Sequence, residues 1–132
     1  TIQKANAENL PIESNKFDAV SVGFGVRNFE NLEKGLKELQ RVVKKGCSVY
    51  ILEFSKPSGF WVPLYLFYFK NILPMIGKLI SKDSRAYTYL PDSVSVFPYG
   101  KEMKKILLNA GFSAVEYKKL SFGVAAIYKA TK

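Results

Sequence analysis

A strand–helix–strand pattern over residues 17–54 is the feature that most constrains the fold of this sequence. A strand is predicted from Phe17 to Phe24, and a second from Ser48 to Phe54. The second is a short run of branched and aromatic residues, which is typical of a strand buried on both faces in a parallel sheet. The segment between them has the period of a helix, with apolar residues three and four apart at Phe29, Leu32, Leu36, Leu39 and Val43. The pattern predicts parallel strands joined by a helix.

The remaining elements extend this pattern. Asn28 or Asn31 is expected to cap the first helix, and Gly46 to end it. A later helix, KEMKKILLNAGF, has one apolar face and ends at Gly111; the face consists of Met103, Ile106, Leu107 and Ala110. The tail reads as two strands joined near Ser121–Gly123, and so short a join makes them antiparallel. We therefore predict an α/β fold with a mostly parallel sheet and a closing hairpin.

The length and charge of the chain limit its organisation and its partners. A chain of 132 residues, 48% of them hydrophobic, suffices for one ordered domain with a sizeable core. The formal net charge of +9 favours an anionic partner, such as nucleic acid, a lipid headgroup or a charged cofactor. Because the basic residues are dispersed rather than clustered, we expect no nucleic-acid partner.

Cysteine and histidine are scarce. The single cysteine, Cys47, allows no intrachain disulfide, which fits a reducing compartment. Since the chain has no histidine, an ordinary zinc site lacks ligands, and we predict no metal.

Polar residues follow both predicted strands at the points where they end. In open α/β sheets, ligands bind outside the carboxyl ends of the strands. One such end is Gly23–Asn28 and the other is Glu53–Lys56. If the two strands are parallel neighbours, Arg27, Asn28, Glu53 and Ser55 converge on one crevice.

Several segments, in order, resemble one family. Together they look like the C-methyltransferases of ubiquinone and menaquinone biosynthesis, over nearly the whole chain; the segments are AENLPIESNKFDAVSVGFGVRNF, RVVKKGCSVYILEFSKP, AYTYLPDSV and LLNAGF. The resemblance implies a Rossmann-like class I methyltransferase fold with S-adenosylmethionine as co-substrate. It also implies a cytoplasmic enzyme, peripheral to the inner membrane, that methylates the ring of a reduced polyprenyl quinone precursor, with demethylmenaquinol favoured.

The sequence departs from the family in two ways. Lys45 stands where the family usually has proline, and Cys47 where it has glycine; both lie in a predicted turn. The family's glycine-rich cofactor loop and the acidic residue after its second strand should lie upstream of Thr1. We therefore expect residues 1–132 to be the C-terminal part of a single methyltransferase domain, inactive by itself.

The resemblance assigns roles to particular residues. Arg27 and Asn28 lie in the quinol pocket and assist methyl transfer, and Asn6, Ala7 and Gly23 contact the cofactor. Residues matching a substrate region are Tyr87, Tyr89 and Ser93. From the residues alone, other interpretations stay open: a capping role for Asn28, a surface ion pair for Arg27, close packing at Gly23, and a structural Glu53 paired with Arg27 or Arg41.

An apolar insert at about residues 59–95 separates the second strand from the later helix. Its segment Gly59–Ile80 is apolar enough to suggest a membrane span, but prolines and lysines interrupt it. An interfacial helix or a lid fits better, and a homodimer interface is equally open. A noncatalytic basic module that binds membrane or RNA, or a fragment that pairs through strand edges, is the alternative to an enzyme.

Overall fold

The computed structural model describes residues 2–57, 59–72, 75 and 96–132. These residues form a four-stranded mixed sheet in which the strand order is β1-β2-β4-β3. β1 and β2 are parallel, whereas β4 is antiparallel to both of its neighbours. The strands are β1 (Phe17–Gly23), β2 (Val43–Phe54), β3 (Ala114–Leu120) and β4 (Ala125–Thr131). The predicted α/β fold with its closing antiparallel hairpin is confirmed. The prediction of a mostly parallel sheet is wrong for the described residues, because only one of their three strand pairings is parallel.

Helices lie before, within and after the insert. The described residues contain the α-helices α1 (Leu32–Val42), α2 (Val62–Phe67) and α3 (Lys101–Asn109). Short 3-10 turns occupy Val26–Asn28 and Ser121–Gly123, and a π-helical turn, Tyr68–Ile72, continues α2. Within the described ranges, no helix combines the length and apolar character needed to cross a bilayer.

The end of α1 differs from the prediction. The helix stops at Val42, and β2 begins at Val43, five residues before the expected Ser48. Both valines are buried, and branched side chains of this kind suit a strand. Gly46 lies inside β2 with a φ of +76° and donates its N–H to the carbonyl of Lys132 at 3.0 Å. It therefore allows an irregularity in the strand rather than ending the helix.

The core lies between one face of the sheet and the helices α1 and α3. The predicted apolar face of α3 is confirmed, since Met103, Leu107 and Ala110 are buried. They belong to one cluster with residues of α1, β2 and β4, including Leu36, Leu39, Val49, Ile51, Ala126 and Tyr128. This packing fixes the sheet whose strand ends carry the candidate site.

Candidate functional site at the carboxyl ends of β1 and β2

The pairing of β1 with β2 brings the two predicted strand ends together. Gly23 pairs with Leu52, and the N–H of Phe24 donates to the carbonyl of Leu52 at 2.8 Å. The chain then turns through Phe24, whose φ of +54° is rare for a residue with a side chain, into the 3-10 turn that holds Arg27. Val26 in this turn is fully buried in the core and so anchors it.

A buried ion pair joins the two strand ends. Nη1 of Arg27 lies 2.8 Å from Oε1 of Glu53, and the backbone N–H of Arg27 donates to Oε2 at 3.2 Å. Oε1 also accepts the N–H of Phe54 at 2.9 Å. Glu53 is completely buried, and the Arg27 side chain is 12% exposed. The sequence left Arg27 and Arg41 open as partners of Glu53, and the structure pairs it with Arg27. The pair is buried rather than on the surface.

The guanidinium of Arg27 makes two further contacts besides the ion pair with Glu53. Its Nη1 also donates to the carbonyl of Phe24, and its Cζ lies 5.2 Å from the centre of the Phe54 ring. The rings of Phe24 and Phe54 themselves pack 4.6 Å apart. Hydrogen bonds to charged groups and cation–π contacts are both strengthened when water is excluded. The arrangement therefore presents a cation in a fixed orientation.

Asn28 and Gly23 lie on either side of this cation along the chain. Asn28 is exposed in the same turn and is not the cap of α1, because Oδ1 of Asn31 accepts the N–H of Lys34 at 3.0 Å. Gly23 is exposed, and among the described residues a Cβ built on it meets no atom within 4 Å. Close packing against the described residues is therefore not the reason for a glycine at this position.

The loop that carries Asn6 and Ala7 is attached to the start of α1. Oδ1 of Asn6 accepts the N–H of Glu8 at 2.9 Å, which closes a local turn. The carboxylate of Glu8 in turn accepts the N–H of Asn31 at 2.8 Å. Since Asn31 follows Arg27 by four residues, the structure brings this loop to the region of the Arg27 turn.

A second ion pair fixes the rest of that loop. Nε and Nη2 of Arg41 lie 2.7 and 2.8 Å from the two carboxylate oxygens of Glu38. Oε2 of Glu38 also accepts the N–H of Leu10 at 2.8 Å, and Arg41 donates to the carbonyl of Ile12 at 2.7 Å. The ion pair itself has the i,i+3 spacing of a helix. The attachment of the loop to it was missed from the sequence, because these contacts join residues 28 and 29 positions apart.

Replacing Arg41 by glutamine is expected to raise the pKa of Glu38. Chiefly the hydrogen bond from Arg41 holds that pKa below its ordinary value, against the opposing effect of burial. The pair therefore contributes its full stabilisation at pH values above the ordinary pKa of a glutamate carboxyl group. That stabilisation is lost as the pH falls through the lowered pKa of the folded state. Carboxyl-carbon NMR titration measures the change.

Lys34→Gln is the matched control for this titration. Lys34 is the weakest of the influences that lower the pKa of Glu38, so its removal should move the midpoint less. An equal shift in both variants would show that general positive charge, rather than the Arg41 bonds, sets the pKa.

An apolar groove lies between the insert and the turn that joins β3 to β4. Its volume is about 600 Å³, and its lining is almost wholly apolar: Pro57, Trp61, Leu64, Tyr65, Phe67, Tyr68, Ile72, Ser121, Phe122 and Val124. Phe122 of this lining is about 80% exposed, as is Phe60, whose ring packs 4.4 Å from that of Trp61. Ser121 and Phe122 both have positive φ angles, so the backbone of the turn accepts strain where it presents the Phe122 ring.

The three predicted substrate residues Tyr87, Tyr89 and Ser93 lie outside the described residues. Within the described ranges, no three acidic, cysteine or histidine side chains form a group able to hold a metal ion. Phe54 beneath the Arg27 guanidinium was missed from the sequence, where its apolar character suggested only burial in a strand.

Comparison with solved structures identifies the fold to which this architecture belongs. The chain superimposes over its full length on a SAM-dependent methyltransferase of Thermotoga maritima, described as a possible histamine N-methyltransferase, with a TM-score of 0.69 and 20% identity. A SAM-dependent methyltransferase of Aquifex aeolicus also superimposes on the whole chain, with a TM-score of 0.62 and 17% identity. The chain covers 64% and 55% of these proteins. The fold is thus part of the Rossmann-like methyltransferase fold, as predicted.

Sequence comparison then gives the family. The model of the ubiE/COQ5 methyltransferase family matches residues 1–132, and the chain belongs to that family. It is 43% identical over 130 residues to a demethylmenaquinone methyltransferase of Bacteroides fragilis, and 47% identical over 127 residues to one of Chlorobaculum tepidum. These alignments cover 98% and 96% of the chain but 53% and 52% of the relatives. The chain therefore spans about half the length of the curated relatives it matches.

Proposed function

We propose that residues 1–132 are the C-terminal, substrate-side part of a single-domain S-adenosylmethionine-dependent C-methyltransferase. The proposed reaction is methylation of the ring of a reduced polyprenyl quinone precursor, from demethylmenaquinol to menaquinol. The observation that carries the proposal is the buried Arg27–Glu53 pair, 2.8 Å long, at the ends of two parallel strands. The relatives named demethylmenaquinone methyltransferase support the choice of substrate.

Arg27 and Asn28 have chemistry suited to this reaction. A ring carbon becomes nucleophilic when the neighbouring hydroxyl loses its proton. Because a guanidinium stays protonated, we assign Arg27 to stabilising the phenolate, and Asn28 to orienting the ring or a water. A carbon–carbon bond then forms as the methyl–sulfur bond breaks. The ring carbon gives its proton to water, which restores the aromatic phenolate, and the phenolate takes a proton back from water. The hydroxyl proton was likewise given to water at the start, so one proton is released for each methyl group transferred. S-adenosylmethionine supplies the methyl group and leaves as S-adenosylhomocysteine.

Three described residues fit the cofactor. The exposed loop at Asn6 and Ala7 offers an amide side chain and a main-chain N–H to the edge of the adenine. Gly23 offers its backbone, and the open space around its Cα position lets a ligand approach closely. Contacts to the substrate are assigned to Tyr87, Tyr89 and Ser93.

We propose a peripheral membrane location on the cytoplasmic side. Exposed apolar side chains beside the groove support contact with a membrane surface. Trp61, Leu64 and Phe67 are 44%, 60% and 58% exposed beside the apolar groove. Contiguous apolar patches of this kind mark interaction surfaces, and a lipid-borne polyprenyl tail has matching chemistry. A second copy of the chain is the competing occupant of this surface.

Methyl transfer by the full-length protein tests the proposal. With methyl-labelled S-adenosylmethionine, we expect label to enter short-chain demethylmenaquinol. A benzoquinol precursor of ubiquinone is the second substrate to compare, because a relative in Chromobacterium violaceum that is 43% identical is named a ubiquinone/menaquinone biosynthesis C-methyltransferase. Absence of label from both quinols would refute the proposed reaction.

A further inference from the structure

Two serines, one in the middle of β2 and one directly after it, are buried, and their hydroxyls differ in how they are satisfied. Ser48 is 9% exposed, and its Oγ lies 3.1 Å from Oγ1 of Thr131. Ser55, directly after the strand, is 2% exposed, and its Oγ has no hydrogen-bond partner among the described residues. A buried hydroxyl without a partner is unfavourable and uncommon in native proteins. Ser55 therefore calls for a group that the described chain does not supply.

The position of Ser55 indicates what that group is. It follows Glu53 by two residues, and because two residues of chain span at most about 7 Å, the two Cα atoms are no further apart than that. Its N–H is fixed by the carbonyl of Val124 at 2.9 Å. Nε of Arg27, whose Nη1 is paired with Glu53, is also buried without a partner in the part of the chain that the structure describes. Two buried donors near one strand end fit a ligand that carries more than one oxygen.

We propose that the Ser55 hydroxyl donates a hydrogen bond to the second ring oxygen of the substrate. This inference rests on the function proposed above. A reduced quinone carries two oxygens on opposite sides of its ring. Arg27 holds the oxygen beside the carbon that is methylated, and Ser55 holds the other. The two contacts together fix which edge of the ring faces the methyl donor, so Ser55 is a substrate-binding residue that sets the orientation of the ring.

The test compares two substrates on matched variants of the full-length protein. The first substrate is short-chain demethylmenaquinol. The second is the corresponding naphthol, which keeps the hydroxyl beside the methylated carbon and lacks the other. We expect Ser55→Ala to lower kcat/KM for the quinol about tenfold and to leave that for the naphthol unchanged, since one neutral hydrogen bond is lost. The dissociation constant for S-adenosylmethionine should not change.

Ser48→Ala is the matched control. It removes a hydroxyl that has a protein partner, so it should lower the unfolding midpoint and leave the ratio between the two substrates unaltered. Ser55→Ala should not lower that midpoint, because its hydroxyl makes no bond in the described part of the protein and its burial without a partner is unfavourable.

The outcomes separate this inference from the proposed function. If the wild-type protein methylates neither substrate, the proposed function fails, and this inference fails with it. Suppose instead that the wild-type protein methylates the quinol. If Ser55→Ala then lowers kcat/KM equally for both substrates, or for neither, the proposed function stands and the role of Ser55 is refuted. Weakened cofactor binding in Ser55→Ala would also refute it, because the hydroxyl would then serve the cofactor.

Discussion

Replacing Arg27 by alanine is expected to lower the rate of methyl transfer by about 10²–10³-fold, as is typical when one preorganised donor to a developing negative charge is removed. The guanidinium is fixed by Glu53 at 2.8 Å and lies 5.2 Å from the centre of the Phe54 ring. It needs little rearrangement to meet a phenolate. Single-turnover kinetics on the full-length protein measures the rate, and calorimetry should show unchanged affinity for S-adenosylmethionine.

Two control variants make this result interpretable. Arg27→Lys keeps the charge but loses the forked geometry, so we expect an intermediate rate. Lys44→Ala removes a cation from an exposed pair with Asp18, and the rate should stay at the wild-type level. Normal turnover in Arg27→Ala would remove the residue from the mechanism. Circular dichroism must show that Arg27→Ala is folded, because loss of the guanidinium leaves the Glu53 carboxylate buried without its partner.

Replacing Glu53 by alanine is expected to destabilise the fold by about 3 kcal/mol, because breaking a buried pair leaves an uncompensated charge. Glu53 is completely buried and also accepts the backbone N–H groups of Arg27 and Phe54. Three donors lose their acceptor in the variant. Urea unfolding of the full-length protein, with an unchanged m-value, measures the loss.

Asp18→Ala provides the comparison within the same sheet. It breaks an ion pair of 2.7 Å with Lys44 in which both side chains are largely exposed, and such pairs contribute little. We expect its unfolding midpoint to stay close to that of the wild type. Similar midpoints for Glu53→Ala and Asp18→Ala would show that burial does not decide how much an ion pair contributes to the stability of this sheet.

The parallel pairing of β1 with β2 and the antiparallel pairing of β3 with β4 followed from the sequence, because local signals determine them. The pairing of β2 with β4, which sets the strand order, was not predicted. Hydrophobic periodicity located α1 and α3, and the short join at Ser121–Gly123 made the final strands antiparallel. The end of α1 was misplaced because the positive φ of Gly46 serves equally well in a helix stop and in an irregular strand. Burial of Val42 and Val43 decided between them, and burial depends on the tertiary fold.

The candidate site was predictable in location but not in its contacts. Parallel pairing of β1 and β2 placed Arg27 and Glu53 at one edge, as the rule for open sheets requires. The choice of Arg27 over Arg41 as the partner of Glu53 depended on the turn after Phe24, whose unusual backbone angle no sequence pattern announces. Several assigned roles stay predictions; these are the roles of Asn6, Ala7, Gly23, Asn28, Tyr87, Tyr89 and Ser93.

The pairing of β2 with β4 also bears on how this protein can diversify. These strands are far apart in the sequence: Ser48 pairs with Thr131, 83 residues later, across the whole insert. The entropy of closing such a loop grows slowly, and doubling its length costs only about 0.6 kcal/mol. The insert can therefore be lengthened, shortened or exchanged while the sheet keeps Arg27 and Glu53 in place. Under the proposed function, selectivity for a polyprenyl tail or a membrane surface can thus change in the insert, while the strand ends that hold Arg27 and Glu53 stay the same.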